Sequence, residues 1–310
     1  MQMVEDNPAT DQETRCGFVA LIGAPNAGKS TLINALVRSK VSIVSHKVQT
    51  TRMPVRGIII EGASQLIFVD TPGIFAPKRR LDRAMVTSAW AGAKDADLTG
   101  LLIDARKGLD AEAEAIVKNL SGTAGRKFLI LNKVDVTDKP ALLALATALN
   151  ERVKFQATFM VSALTGDGVD AMRSWLAGEV APGPWLYPED QMSDAPLRQL
   201  AAEITREKMF NRLHQELPYQ STVETESWEE KKDGSVRIEQ TIFVERESQK
   251  KIVIGKGGQT LKAIGAEARK EMSGIVEAPV HLFLFVKVRE GWGDDPERYR
   301  EMGLDFPRDS

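Results

Sequence analysis

The residues at positions 23–30, GAPNAGKS, have the spacing of a loop that binds phosphate. Gly23 and Gly28 allow backbone angles that turn successive N–H groups inward, towards an anion at the N-terminus of the next helix. Lys29 can then reach the β- and γ-phosphate oxygens of a nucleotide, and the hydroxyl of Ser30 can ligate Mg²⁺. The spacing differs from the G-x-G-x-x-G of dinucleotide-binding folds, which disfavours a dehydrogenase. The predicted phosphate-binding residues are Gly23, Ala24, Pro25, Asn26, Ala27, Gly28, Lys29, Ser30 and Thr31.

A second motif, DTPG at residues 70–73, follows the apolar run Leu66–Val69. Asp70 can hold a water molecule bound to Mg²⁺, and the N–H of Gly73 can approach a γ-phosphate closely. Thr51, within VQTTR, has a hydroxyl that can reach the metal only when the γ-phosphate is present, and such a group forms a switch. The predicted metal ligands are Ser30, Thr51 and Asp70, the predicted catalytic residues are Lys29, Thr51, Asp70 and Gly73, and the motif adds Thr71, Pro72, Gly73 and Ile74 to the nucleotide-binding set.

The choice of base is predicted from NKVD at residues 132–135, which follows the apolar run Phe128–Leu131. The carboxylate of Asp135 can accept hydrogen bonds from N1–H and from the 2-amino group of guanine, whereas adenine has neither donor there. The wrong base leaves this acceptor unpaired, so the site selects guanine. The sequence SAL at residues 162–164 can add a backbone contact to the guanine carbonyl. The predicted base-binding residues are Asn132, Lys133, Val134, Asp135, Ser162, Ala163 and Leu164.

These motifs follow short apolar runs that alternate with helical stretches. Such a pattern is typical of parallel strands buried on both faces, with the ligand at the carboxyl ends of the strands. We therefore predict an α/β P-loop domain with a doubly wound, mostly parallel sheet. Its predicted strands are Phe18–Ile22, Leu66–Val69, Leu98–Ile103, Phe128–Leu131 and Phe155–Val161.

A proline-rich stretch, residues 181–196, divides the chain, because proline neither donates to a β-ladder nor continues a helix. After it we predict a smaller α+β unit: a helix at Leu197–Leu213, a strand at Val236–Val244, a glycine loop with a second helix, and a strand at Val280–Val288. The predicted division is a solvated acidic tail at 1–14, a nucleotide-binding domain at 15–182, a linker with the start of a connecting helix at 183–205, the α+β domain at 206–290 and a solvated tail at 291–310.

Composition excludes some classes of protein and leaves others open. The 310 residues are 43% hydrophobic and 27% charged, which excludes wholesale disorder, collagen and coiled coil. One cysteine fits a reducing compartment, and no apolar run approaches the roughly 20 residues of a membrane span. The net charge of −2 argues against nucleic acid, yet residues 250–270 hold six basic residues against one acidic residue. Global charge therefore does not decide whether the chain binds RNA.

The order GAPNAGKS, TTR, DTPG, NKVD and SAL resembles that of the translation-factor-related GTPases. In the second half, VERESQKKIVIGKGGQTLKAIGAEAR resembles a type II KH domain with the G-x-x-G loop at residues 255–258. A GTPase domain followed by a KH domain is the layout of the Era family of bacterial ribosome-assembly GTPases, and the final VHLFLFVKVREGWGDDPERYREMGLD is also similar to that family. The resemblance implies RNA contacts at Lys250, Lys251, Ile254, Gly255, Lys256, Gly257, Gly258 and Lys262.

The resemblance also implies a function. It implies a GTP-hydrolysing switch that cycles between GTP and GDP with Mg²⁺, binds 16S rRNA near its 3′ end, and assists assembly and maturation of the small (30S) ribosomal subunit. A cytoplasmic monomer is expected, and a loose association with the inner membrane is left open. Asn26 is the residue that some relatives use to ligate K⁺, and a turn-forming asparagine is an equal alternative.

Two features of the catalytic machinery stand apart. Ras-like GTPases place a glutamine after the D-x-x-G glycine to orient the attacking water, whereas this chain has Ile74, and the Era family shares an apolar residue there. The water must then be held by the backbone, by another side chain or by a partner, and we expect slow intrinsic hydrolysis. Arg52 and Arg56 are candidates for transition-state charge, with solvated surface arginines as the favoured interpretation.

Two rival functions keep the same GTPase domain. In one, GTP hydrolysis drives tRNA modification, which requires a second active site. The chain after the linker has no cysteine and no cluster of carboxylates with histidine, which counts against this function. In the other, the α+β unit is a protein-docking module rather than an RNA-binding domain.

Overall fold

The computed structural model describes residues 13–214 and 217–307. The nucleotide-binding unit is built on one sheet, made of β1 (Arg15–Ile22), β2 (Val55–Glu61), β3 (Ser64–Asp70), β4 (Leu98–Asp104), β5 (Arg126–Asn132) and β6 (Thr158–Val161). The strand order is β2-β3-β1-β4-β5-β6, with β2 antiparallel to β3 and the other neighbours parallel. Most of the predicted acidic tail at 1–14 lies outside the described residues.

Four of the five predicted apolar runs lie within a strand of this sheet, and the fifth, Phe155–Val161, contains β6. The mostly parallel topology is confirmed. The edge strand β2 is absent from the prediction. Its apolar run Ile58–Ile60 is only three residues long, and Arg56 and Gly57 separate it from the apolar Val55 at the start of the strand. The last strand begins at Thr158, so the segment Phe155–Ala157 is a connection and not part of the sheet.

Helices cover both faces of the sheet. They are α1 (Lys29–Val37), α2 (Arg80–Asp95), α3 (Ala111–Ser121), α4 (Lys139–Arg152) and α5 (Val169–Glu179). α1 and α5 contribute to one apolar core, and α3 and α4 contribute to the other. Because both faces are covered, a ligand can enter only at the edge where the parallel strands end. Asp70, Asp104 and Asn132 are the last residues of β3, β4 and β5, so all three lie at that edge.

The proline-rich linker lies along the outer edge of this sheet. The indole N–H of Trp185 donates to the carbonyl of Ala63 at 3.0 Å and so fastens the linker to the first unit. Further along, the N–H of Ile58 in β2 donates to the carbonyl of Met192 at 2.9 Å. The guanidinium of Arg56 pairs with the carboxylate of Asp194 at 2.7 Å. The linker is therefore bound to the first unit as far as Asp194.

The second unit packs helices against a sheet, as predicted for an α+β domain, but the sheet has three strands and the prediction named only two of them, those at Val236–Val244 and Val280–Val288. Its elements are α6 (Leu197–Arg212), β7 (Ser221–Glu230), β8 (Val236–Val244), α7 (Glu247–Ile254), α8 (Gln259–Ile275) and β9 (Val280–Val288). The sheet order is β7-β8-β9, with β7 antiparallel and β9 parallel to β8. Ile204 of α6 packs with Ile238 and Ala268, and Met209 further along α6 packs with Ile242. The whole helix thus belongs to the second unit, and we propose a boundary before Leu197 instead of at residue 206.

The C-terminal segment is not a solvated tail, which corrects the expectation for residues 291–310. It contains α9 (Pro296–Glu301), and its side chains Trp292, Tyr299 and Leu304 are at most 3% exposed. These three pack against Leu81, Ala84 and Met85 of α2, in the first unit. Acidic composition suggested solvation, but the apolar side chains between the charged residues decide the packing.

Candidate nucleotide site and candidate RNA-binding loop

The predicted phosphate loop connects β1 to α1, as expected for a strand–loop–helix motif. Gly28, the last residue before α1, has a φ of 107°, in the left-handed region that favours glycine. A Cβ atom at this position would also lie 2.2 Å from the amide nitrogen of Asn132. Gly28 therefore permits both the turn and the close approach of the phosphate loop to the base-binding motif.

The ammonium group of Lys29 is buried inside the loop. Its Nζ donates to the carbonyls of Gly23 and Ala24, at 3.0 Å each. Burial lowers the pKa of Lys29 to about 8, although the carboxylate of Asp70 acts in the opposite direction. An anionic phosphate placed in the loop would favour the charged amine. Lys29 is thus positioned to exchange loop carbonyls for phosphate oxygens.

The three predicted metal ligands converge. The hydroxyl of Ser30 donates to Oδ2 of Asp70 at 2.8 Å and lies 3.0 Å from the hydroxyl of Thr51, which donates to the same carboxylate at 3.3 Å. The other oxygen, Oδ1 of Asp70, is buried and has no hydrogen-bond partner among the described residues. Burial raises the pKa of this carboxyl. Two hydroxyls beside a carboxylate with an unpaired oxygen fit the oxygen ligands that Mg²⁺ prefers.

One residue of this cluster is missing from the sequence prediction. The hydroxyl of Ser42 donates to Oδ2 of Asp70 at 2.7 Å and is buried. It lies between the phosphate loop and Thr51 in a segment without a recognisable motif, so only the folded chain places it there.

The predicted base-binding motifs are joined to the phosphate loop by the side-chain amide of Asn132. Asn132 donates to the carbonyl of Ala27 at 2.8 Å, and its oxygen accepts from the N–H of Ala163 at 3.0 Å. One side chain therefore joins the phosphate loop, the NKVD motif and the SAL motif. Asp135 is exposed, so its carboxylate is accessible to a base.

The second lysine of the site, Lys133, is also hydrogen-bonded to the phosphate loop. Lys133 donates to the carbonyl of Asn26 at 2.8 Å and to the carboxylate of Asp104 at 2.6 Å. Asp104, which the sequence prediction lacks, ends β4. Burial raises its pKa, but hydrogen bonds from Arg106 and Lys133 outweigh burial and hold the pKa below its usual value. Asp104 thus remains charged and keeps the stem of Lys133 along the edge where the base would lie.

Several predicted residues do not line the pocket over the phosphate loop. The hydroxyl of Thr71 donates to the carbonyl of Leu21 at 2.7 Å, so this side chain joins β3 to β1. Pro72 and Ser162 are buried, Val134 is half-buried, and Leu164 is 80% exposed. The pocket over the phosphate loop is lined by Gly28, Lys29, Ser30, Thr51 and Gly73, among other residues.

The segment that carries Thr51 is held by α6 of the second unit. The guanidinium of Arg206 donates to the carbonyl of Thr50. The N–H of Val44 donates to the carboxylate of Glu207 at 2.8 Å. The ammonium of Lys47 donates to the carbonyls of Phe210 and Leu213, at the C-terminus of the same helix. The predicted switch is therefore an interdomain contact.

The predicted RNA-binding residues form a loop between α7 and α8. Lys256, Gly257 and Gly258 follow the left-handed Gly255, and Lys256 is exposed at the tip. Lys251 and Lys262 are exposed on the flanking helices, whereas Lys250 and Ile254 are half-buried. The structure thus brings the predicted G-x-x-G residues and basic side chains together on one loop and its flanks.

Comparisons with known proteins agree with this arrangement. A family model described as a 50S ribosome-binding GTPase matches residues 18–133, and a KH-domain model matches residues 216–293. The chain is 68% identical over 305 residues to GTPase Era of a Bradyrhizobium species, covering 98% of this chain and 99% of that relative. It is 66% identical over 304 residues to GTPase Era of Rhizobium meliloti, covering 98% of this chain and 97% of that relative.

The chain belongs to the Era family. Two solved structures of Era align with a TM-score of 0.88 and 37% identity, covering 94% of this chain and 99% of each structure. One is Era in complex with MgGDPNP and nucleotides 1506–1542 of 16S ribosomal RNA, and the other is a variant of Aquifex aeolicus Era bound to GDP and AlF4⁻. The chain is therefore a GTPase, with a mostly parallel nucleotide-binding sheet and a separate KH domain.

Within this Era-family site, Ile74 lies where the Ras-like glutamine would be. Its N–H donates to the carbonyl of Gly23 at 3.0 Å, and its side chain is 6% exposed and packs with Ile22 and Ile103. Ile74 contributes to the core and to the position of the phosphate loop. Its apolar side chain has no group that can orient water.

Arg52 departs from the sequence interpretation, because it is not a solvated surface arginine. It is 2% exposed and donates to the carbonyls of Ser221 at 2.8 Å and Pro218 at 3.0 Å, both in the KH unit. Its guanidinium also lies 5.6 Å from the ring centre of Trp292. Burial lowers the pKa of Arg52 to about 9. In this Era-family chain the residue after Thr51 is an interdomain anchor.

Among the helices of residues 13–214 and 217–307, none is long and apolar enough to cross a membrane. The loose association with the inner membrane stays a prediction.

Proposed function

We propose that this GTPase binds the unpaired 3′ end of 16S rRNA through its KH loop and assists maturation of the 30S subunit, with the bound nucleotide governing RNA engagement. The observation that carries the proposal is the G-x-x-G loop, which has its basic tip exposed. The solved Era that holds 16S nucleotides 1506–1542 aligns along 94% of this chain, including the KH unit.

The glycines of the loop have different roles. A Cβ atom on Gly255 would lie 2.2 Å from the hydroxyl oxygen of Thr260, so this glycine serves the packing of the loop on α8. Gly257 and Gly258 have φ values of 61° and 78° and face open space. A backbone without side chains beside an exposed lysine lets a phosphate chain approach closely, as in loops that clamp about four nucleotides of single-stranded RNA.

Coupling between nucleotide and RNA has a physical route. Thr51 touches Ser30 and Asp70, the other two predicted metal ligands, and its neighbours Thr50 and Arg52 are held by the second unit. A ligand that moves Thr51 must strain or release these contacts. The equilibrium between domain arrangements can therefore shift with the nucleotide state.

In the proposed cycle, the nucleotide phosphates are held by the loop Gly23–Thr31 and by Gly73, and the base by the motifs at residues 132–135 and 162–164. Ser30, Thr51 and Asp70 would hold Mg²⁺, which neutralises charge on the β- and γ-phosphates. Lys29 adds the remaining positive charge. The side-chain oxygen Oδ1 of Asn26 stays available for K⁺, since the amide nitrogen of the same side chain donates to the backbone carbonyl of His46 at 2.8 Å; K⁺ binding stays a prediction.

The test is binding of a labelled RNA with the sequence of the 16S 3′ end, measured by fluorescence anisotropy with a GTP analogue. The parent should bind this RNA more tightly than a duplex. Its affinity should fall by roughly 0.7 log unit per log unit of salt for each phosphate neutralised. Changing Lys256→Asp and Gly257→Asp together should remove RNA binding and leave GTP affinity intact.

A matched control is Lys232→Asp with Gly234→Asp, in the hairpin between β7 and β8. Gly234 is also left-handed and faces open space, and Lys232 is also exposed. The control changes the same residue types in the same unit, so it should bind RNA like the parent. Equal RNA affinity and salt dependence for the loop variant and the parent would contradict the proposal. If neither protein binds RNA while both bind 30S subunits, the protein-docking alternative is favoured.

A further inference from the structure

The phosphate pocket has a side chain able to supply the water-orienting group that Ile74 lacks. The lining residues whose side chains can accept a hydrogen bond from water are Asn26, Ser30, Thr31, Ser45, Gln49, Thr50 and Thr51. A water that attacks the γ-phosphate needs such an acceptor near the γ-phosphate. Most of these groups already have another partner or another predicted role.

Elimination reduces the set. Ser30 and Thr51 belong to the cluster around Asp70. The hydroxyl of Thr50 donates to the carbonyl of Lys47 at 2.7 Å, and the hydroxyl of Ser45 accepts from the N–H of that lysine at 3.2 Å. Asn26 and Thr31 belong to the predicted phosphate-binding set, in the loop and at the start of α1. Gln49 remains, two residues before the switch threonine.

The carboxamide of Gln49 is anchored by one end. Its Nε2 donates to Oδ1 of Asp82 at 2.6 Å, and its Oε1 accepts no hydrogen bond from the described residues. Because the nitrogen is committed to a carboxylate, the oxygen is the free end. Gln49 lines the same pocket as Gly73, the predicted γ-phosphate contact, and Thr51, the metal ligand predicted to bind only when the γ-phosphate is present.

The anchor itself is buried and hydrogen-bonded. Asp82 is 3% exposed, and its second oxygen accepts from the N–H groups of Lys78 and Arg79, at 3.0 and 2.9 Å, at the N-terminus of α2. Gln49 has a left-handed φ of 58°, which costs free energy in a residue other than glycine, and its carbonyl accepts from Arg206 at 3.4 Å. Backbone and side chain are thus both held by neighbouring elements.

We propose that Gln49 is a catalytic residue whose Oε1 accepts a hydrogen bond from the attacking water, and that Asp82 is its positioning residue. The water oxygen forms a bond to the γ-phosphorus, the bond from that phosphorus to the β–γ bridging oxygen breaks, and the water proton passes to the released phosphate. The inference rests on the GTPase activity alone. It does not depend on which RNA the KH unit binds.

The first test is single-turnover hydrolysis by Gln49→Ala. The rate constant should fall roughly 10- to 100-fold, the effect expected when a reactant loses its orientation. Affinity for GDP and for a GTP analogue should stay within about twofold of the parent, while the additional tightening of GDP binding by AlF4⁻ should disappear. Val48→Ala, a neighbouring change at a partly exposed side chain, is the control and should hydrolyse GTP like the parent.

The second test inverts the hydrogen bond. In Asp82→Asn the new amide oxygen can still cap α2, but the amide nitrogen then faces Gln49, whose carboxamide must turn its own nitrogen towards the pocket. Hydrolysis should fall as in Gln49→Ala. Adding Gln49→Glu gives one oxygen that accepts from the amide nitrogen at position 82 and a second oxygen that faces the pocket. The double variant should therefore regain most of the hydrolysis rate. Gln49→Glu alone brings two carboxylates together and should stay slow.

Three results would overturn the inference. The first is an unchanged hydrolysis rate in Gln49→Ala. The second is a loss of GDP affinity in that variant as large as its loss of the tightening by AlF4⁻. The third is a double variant, Asp82→Asn with Gln49→Glu, that hydrolyses GTP no faster than Asp82→Asn. If Asp82→Asn has a lowered melting temperature and does not bind GDP, Gln49→Ala decides by itself, because its readouts separate rate from binding.

Discussion

The guanidinium of Arg206, in the KH unit, donates to the backbone carbonyl of Thr50, one residue before the threonine that meets Asp70 in the phosphate site. The two residues are 156 positions apart in the chain. Through this contact, the conformation of the switch depends on how the second unit is docked.

Removing the Arg206 contact should weaken the state in which Thr51 faces the metal ligands. For Arg206→Ala we expect at least about a tenfold loss of affinity for a GTP analogue with GDP affinity unchanged, because the charge-assisted hydrogen bond to Thr50 alone contributes about 1.5 kcal/mol and the longer one to Gln49 is lost as well. Stopped-flow binding of fluorescent nucleotides measures both. Arg198→Ala, on the same helix but bonded to carbonyls of the KH unit itself, is the control. Equal losses for both nucleotides would show that Arg206 acts only on stability.

Nucleotide binding should take up a proton near pH 8. The pKa of Lys29 is about 8 in the free protein because the amine is buried, and a bound phosphate should raise it. Lys29 is therefore about half neutral at pH 8 before binding and charged afterwards, so affinity should fall as the pH rises through 8. Calorimetry of GDP binding in two buffers with different ionisation enthalpies should give an uptake of about half a proton at pH 8. No dependence on the buffer would contradict the shifted pKa.

Guanine selectivity should reside in Asp135. Asp135→Asn replaces an acceptor by a group that can donate, so GTP should bind about 100-fold more weakly, since two hydrogen bonds to a charged group contribute about 3 kcal/mol. Xanthosine triphosphate, which has a carbonyl at the position of the 2-amino group, should bind better than to the parent. Competition with a labelled nucleotide measures both changes. Asp138→Asn, an exposed aspartate three residues on, should leave selectivity unchanged, and unchanged GTP binding in Asp135→Asn would contradict the assignment of the base site.

The C-terminal segment should stabilise the GTPase domain. Leu304 is 3% exposed and packs in the cluster with Leu81 and Met85 of α2. Leu304→Ala should therefore weaken the packing of this segment on α2 by about 2–5 kcal/mol. Hydrogen exchange of α2 measures the loss locally, and urea unfolding measures it globally. Asp305→Ala, at the next and exposed residue, should change stability by less than about 0.5 kcal/mol. Unchanged exchange in α2 after Leu304→Ala would show that the cluster carries little free energy.

The features that depend on local patterns of residues could be predicted from the sequence. The phosphate loop, the DTPG and NKVD motifs and the strands before them follow from glycine spacing and apolar runs, and the structure brings Ser30, Thr51 and Asp70 together. The burial of Arg52 follows no local pattern, because its partners Pro218 and Ser221 lie 166 and 169 residues away. The same holds for Gln49, whose anchor becomes visible only when α2 packs beside the switch.

The pairing of the linker with β2 determines where the two units can turn. Residues up to Asp194 are bound to the first unit, through Ile58 and Arg56, and α6 of the second unit begins at Leu197. Only Ala195 and Pro196 remain between two fixed bodies, and the ring of proline restricts φ. A hinge of two residues permits rotation but almost no separation. A change of domain arrangement that releases the contacts of α6 and of the C-terminal segment but leaves the linker docked therefore turns the KH loop on an arc about this point, while the outer edge of β2 stays covered and protected from pairing with another chain.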